Sequence, residues 1–139
     1  MIFQPKNFKN LMVFQEYEEA PVILKWLIED FCTTSIAWGI NPVCTRILEP
    51  IEGSSGVHED YRAADFRQEY IGKRLYSAKQ ERDMLNFLNK RYPRNDGFKT
   101  AICHSFMGGP RHFHLQIPDL VKKLKEGEKK CQTLKILKN

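Results

Sequence analysis

The stretch that decides the fold is residues 98–117, FKTAICHSFMGGPRHFHLQI. FKTAICHSF (98–106) and RHFHLQI (111–117) read as two β-strands, and the MGGP between them is a turn signal, so the pair predicts an antiparallel hairpin. In RHFHLQI the side chains alternate between faces. His112, His114 and Gln116 take one face, while Phe113 and Leu115 take the other. Residues two apart on a strand stand roughly 6–7 Å apart along the backbone, so the two histidines form one polar floor over an apolar back. In the first strand Cys103 alternates away from His104, which argues against Cys103 as a metal ligand beside it.

Working outward, SAKQERDMLNFLNKRY (77–92) predicts a helix. Ser77 stands as the N-cap, and Leu85, Leu88 and Tyr92 share a face with Met84 beside them. EEAPVILKWLIEDFCTT (18–34) predicts a second helix, with Pro21 in a first turn. INPVCTRILEP (40–50) alternates Val43, Thr45 and Ile47 as a strand does, and Pro50 with EGSSG breaks it. YRAADFR (61–67) reads as a short strand whose Ala63 and Ala64 leave room for a neighbouring element. Trp26, Trp38 and the phenylalanines are expected in the core. The order predicts one α+β domain over 1–139, a small, largely antiparallel sheet with helices to one side.

The chain has 139 residues, with 42% hydrophobic and 28% charged, which suits a single soluble globular domain. No run approaches the ~18 apolar residues of a membrane span, and the N-terminal stretch lacks the basic-then-apolar order of an export signal. A cytoplasmic monomer with reduced thiols is the expectation; the four cysteines (Cys32, Cys44, Cys103 and Cys131) form no C-x-x-C pair. Cys44 and Cys103 are expected to be buried strand residues. Net charge is +5, and much of the excess lies in the tail 119–139, DLVKKLKEGEKKCQTLKILKN. That basic tail is either a solvated end or a surface for a polyanion such as nucleic acid or cell wall.

Chemistry concentrates in the histidines. There are four, His58, His104, His112 and His114. His58 lies in SSGVHEDYRAADFRQEY (54–70), with Asp65 after six intervening residues. Extended, those seven steps span about 23 Å. Ligands of one zinc ion each bind at about 2 Å, so the chain must fold back if both meet one ion. Two imidazoles and one carboxylate leave a fourth position open, which is the catalytic rather than the structural form of a zinc site. Imidazole favours zinc over magnesium or calcium. The bland alternative is a His pair on a solvated sheet face, with Asp65 salt-bridged to Arg62 or Arg67.

These segments resemble a known family. SSGVHEDYRAADFR resembles the H-x6-D segment of the M15 peptidases, the zinc D-alanyl-D-alanine peptidases. CHSFMGGPRHFHLQIP is similar to the closing segment of their phage-type members, and NPVCTRILEP resembles the strand that ends in a Thr/Ser-Arg step before the first ligand. The resemblance covers about residues 18–118. It implies a hedgehog/DD-peptidase-like fold and one Zn2+ per chain, held by His58, Asp65 and His114. It implies that His112 stands beside the metal, that His104 shares proton transfer, and that Arg46 holds a substrate carboxylate or polarises the scissile carbonyl. The implied activity is cleavage of peptidoglycan stem or cross-link peptides by zinc-activated water, as in phage endolysins. Zinc brings the pKa of its water from ~15.7 toward ~7. Many relatives place a carboxylate three residues before the last zinc histidine; here that residue is Arg111. Either His112 and His104 take over proton transfer, or this chain binds zinc without efficient catalysis. The competing functions are a non-catalytic zinc-binding module of the same fold and a basic nucleic-acid-binding domain. The second has no motif beyond the Lys-rich tail, so no specific nucleic acid and no membrane partner is expected.

Overall fold

A computed structural model describes residues 5–47, 62–105 and 108–118. His58, the Gly/Ser loop before it and the basic tail lie outside the described residues. The elements are α1 (Leu11–Glu19), α2 (Val22–Ala37), β1 (Cys44–Arg46), β2 (Ala63–Arg67), β3 (Glu69–Tyr70), β4 (Lys73–Arg74), α3 (Ala78–Arg91), β5 (Ala101–Ser105) and β6 (Arg111–Gln116). This is the expected α+β arrangement. A four-stranded antiparallel sheet has the order β1-β2-β6-β5, and β3-β4 forms a separate two-stranded ribbon.

The strand pattern sorts the sheet into two faces. Cross-strand partners point the same way, so the pairs Cys44–Phe66, Phe66–Phe113 and Phe113–Cys103 make one apolar row across all four strands. The α2 helix covers that face. Its buried residues Leu24, Leu27, Ile28, Phe31, Cys32 and Ser35 recur at helical spacing, and the Phe31 ring lies 4.3 Å from Phe66 and 5.0 Å from Phe113. The α3 helix adds Met84 and Leu88, with Leu85 and Tyr92 half-buried against the same core. Ser77 caps α3 as expected. Its hydroxyl accepts from Gln80 N, and the Gln80 side chain accepts from Ser77 N, a full capping box.

Several expectations need correction. Trp26 is 55% exposed rather than core, because it sits two residues from Leu24, about 200° around α2, and so faces away from the buried stripe. Phe87 lies one position off the Met84–Leu88 stripe and Phe98 precedes β5, and both are exposed. The remaining described phenylalanines and Trp38 fit: Phe8, Phe31, Phe66 and Phe113 are buried, and Phe14 and Trp38 pack half-buried against them. The helix expected over 18–34 starts at Val22 and runs to Ala37; Pro21 caps it from outside, where its missing N–H costs nothing. Cys44 is buried as expected, whereas Cys103 is half-buried at the sheet edge.

Two elements go beyond the sequence reading. The α1 helix is capped by Asn10, whose side chain accepts from Val13 N, and Phe8 from the segment before it bridges to Cys44. The β3-β4 ribbon turns through Ile71 and Gly72, with φ of 51° and 72°. Both values are positive, as a two-residue type I′ turn requires. Glycine takes that region freely, but a β-branched residue such as Ile71 is strained there. No helix among the described residues is long and apolar enough to cross a membrane.

Candidate active site

The polar face of the sheet gathers the residues singled out in the sequence. Asp65 of β2 pairs with His114 of β6, and Arg46 of β1 pairs with Asp65 from the other side. One step along, His112 stands between Arg67 of β2 and His104 of β5. Thus Arg46, Asp65, His114, His112 and His104 share one face, although Asp65 and His114 are 49 residues apart in the chain. The register breaks between Cys44 and Arg46, where two residues of β1 step past one of β2. That bulge turns the Arg46 position onto the site face, two residues beyond core-facing Cys44.

Asp65 is nearly buried. Its Oδ1 accepts a hydrogen bond from His114 Nδ1 at 2.9 Å, and its Oδ2 lies 4.0 Å from His112 Nε2. On the far side of the ring, His114 Nε2 faces Gln116 Oε1 at 3.2 Å. The Gln116 amide is turned that way because its Nε2 donates to Lys99 O. Both nitrogens of His114 therefore face oxygen atoms of neighbouring side chains. His112 Nδ1 faces the Pro110 carbonyl at 3.3 Å, and its Nε2 lies 4.0 Å from Asp65 Oδ2.

His104 lies 4.6 Å from the His112 ring and 6.1 Å from the His114 ring, centroid to centroid. Its Nε2 is buried and has no hydrogen-bond partner among the described residues. Burial, then the neighbouring His112 and His114, hold its pKa below the ordinary imidazole value. An orphaned buried nitrogen beside two imidazoles and a carboxylate is the donor chemistry that zinc takes. Among the described residues no three His, Cys, Asp or Glu side chains already converge on a single point, and the expected third ligand, His58, lies outside them. Asp65 and His114 fit the role of two zinc ligands in type and placement.

A cleft of about 430 Å³ opens beside Asp65 and His112, with Arg46, Arg67, Tyr70 and Lys9 in its walls. Arg46 thus borders the same space as the His-lined face. Arg111 lines the cleft as well, but its guanidinium grips Glu81 of α3 with two hydrogen bonds, Nε to Oε1 at 2.8 Å and Nη2 to Oε2 at 3.0 Å. Glu81 also accepts from Gln68, Arg74 and Cys103. The Arg111 contact, foremost, drops the Glu81 pKa to about 2. Sequence reasoning missed this hub; the only local hint was an acidic residue in the first turn of a helix. Cys103 points to the hub rather than to the histidines, as its alternation with His104 requires.

No known protein family, curated protein or solved structure matches this chain. The class defined so far is a small α+β domain with an Asp-His cluster on the open face of an antiparallel sheet.

Proposed function

We propose that this chain is a zinc-dependent peptidase of the D-alanyl-D-alanine peptidase type, cleaving peptidoglycan stem or cross-link peptides in the manner of a phage endolysin. The carrying observation is the direct Asp65–His114 contact on the site face of the sheet. The resemblance names those two residues as ligands of one ion, and strand register sets them side by side. The peptidoglycan substrate rests on the sequence resemblance alone.

Asp65 and His114, with His58, would hold the metal. When bound, zinc supplies an acidified water and polarises the scissile carbonyl. His112, whose Nε2 lies 4.0 Å from Asp65 Oδ2, would serve as the base that takes a proton and returns it to the leaving amine. His104, depressed in pKa and therefore neutral at neutral pH, is a second acceptor next to His112. Arg46 in the cleft wall stabilises developing negative charge; such a donor is typically worth about 3 kcal/mol in the transition state.

One observation favours a second reading, a zinc-binding module without catalysis. The position where many relatives carry a carboxylate base holds Arg111, and its guanidinium is committed to Glu81 of α3. The test runs in two stages on protein kept from chelators and nickel resin. The first is zinc content of the wild type and of His114→Ala; about one zinc per wild-type chain, lost in the variant, is expected. The second is cleavage of purified sacculi with and without chelator. Zinc without cleavage selects the non-catalytic module. A wild type that holds no zinc even after zinc is restored ends both readings and brings forward the basic nucleic-acid-binding alternative, whose affinity would fall steeply with salt.

A further inference from the structure

The cleft holds two cations, Arg67 and Lys9, that the catalytic reading leaves unused. Arg67 lies two residues after Asp65 on the same face of β2, a step of about 6.7 Å. Its guanidinium carbon sits 4.2 Å from the centre of the Tyr70 ring. The negative face of the ring attracts the guanidinium and steadies its position. Among the described residues Arg67 makes no ion pair. Neither does Lys9, which lines the same cleft. Of the acids in the cleft wall, Asp65 meets His114, and Glu69 makes no ion pair with Arg67 or with its ribbon neighbour Arg74, whose guanidinium turns to Glu81. The ribbon turn at Ile71, held in a strained left-handed conformation, places an 82% exposed apolar side chain at the outer wall of the cleft. Strain is kept where the surrounding structure holds it in place, and here it sits at the rim of a cleft.

We infer that Arg67, held over the Tyr70 ring, takes a carboxylate of the substrate in the cleft that Asp65 also lines, distinct from any group held by Arg46. The inference rests on the peptidase reading for the term "substrate", but not for the binding itself. The ligand class is a peptide with an acidic group near the bond held at the Asp65–His114 pair. A planar guanidinium binds carboxylate by paired N–H contacts and gains nothing comparable from a carboxamide.

The experiment uses a synthetic peptidoglycan stem pentapeptide and a set of its forms in which each carboxylate in turn is converted to the carboxamide. Calorimetry gives the affinity of the wild type, Arg67→Gln, Tyr70→Phe and Tyr70→Ala for every form, and zinc content and cleavage are read on the same samples. One amidation is expected to weaken wild-type binding about tenfold and Arg67→Gln binding hardly at all. Tyr70→Phe should keep the discrimination because the ring is kept, and Tyr70→Ala should lose part of it. The inference is overturned if no amidation matters to the wild type, if Arg67→Gln discriminates as the wild type does, or if the wild type binds no form. Zinc and cleavage with no Arg67-dependent discrimination sink the subsite and leave the peptidase standing. Discrimination without zinc or cleavage sinks the peptidase and leaves the anion site.

Discussion

Glu81 offers the sharpest quantitative test of how the site strand is held. It is 12% exposed and accepts a two-pronged Arg111 contact, with Gln68, Arg74 and Cys103 around it. The folded carboxyl titrates near 2 instead of its ordinary 4.5. At about 1.36 kcal/mol per pH unit, that gap is worth at most about 3 kcal/mol. Arg111 is 36% exposed, so water screens the pair and about 2 kcal/mol is the working figure. The folded pKa is depressed, so the stabilisation is complete above pH ~4.5 and is lost as pH falls through the folded value near 2. Glu81→Gln imitates the protonated state at every pH. Urea unfolding of both proteins between pH 7 and pH 2 isolates the effect, since all other carboxylates titrate in both. The wild type should be about 2 kcal/mol more stable from pH 7 down to about pH 5, and the two should converge toward pH 2. Parallel stability curves across that range would refute the assignment of Glu81 as the charged partner that anchors the start of β6.

Three further outcomes follow from the packing. Ser77→Ala removes the acceptor for Gln80 N in the capping box and should cost about 1 kcal/mol in urea unfolding, with no change in zinc content. Phe113→Ala, at the centre of the row that meets Phe31, Phe66 and Tyr76, should cost about 3–5 kcal/mol, enough to abolish a cooperative thermal transition in a marginal domain. Burial drives the thiols of Cys32 and Cys44 well above the ordinary range and pushes Cys103 up to about 12, so mass spectrometry after iodoacetamide treatment at pH 8 should find all three unmodified in the folded protein and modified in urea. Rapid native alkylation of Cys44 would contradict its burial in the four-strand row.

Local periodicity carried the site face a long way. RHFHLQI needs only strand alternation to separate His112 and His114 from Phe113 and Leu115, and the structure keeps that division. The α3 helix was legible for the same reason: its cap, its first turn and its apolar stripe are all encoded within a few residues. Alternation likewise separates Cys103 from His104. These features depend on interactions between near neighbours in the chain, which the sequence states directly.

What only the tertiary structure decided depends on register between distant segments. That Asp65 faces His114, and not a residue one step along, comes from the β2-β6 alignment; a slip of one residue would send Asp65 to the core face. The β1 bulge that carries Arg46 onto the site, the α3 carboxylate that claims Arg111, and the ribbon that brings the Tyr70 ring under Arg67 have the same origin. Trp26 shows the limit from the other direction. Hydrophobicity alone sends it inward, but the stripe that α2 buries was chosen by the sheet beneath it, and Trp26 lies on the opposite side of the helix. A residue's type and period set which partners it can accept; the sheet's long-range pairing sets which one it meets.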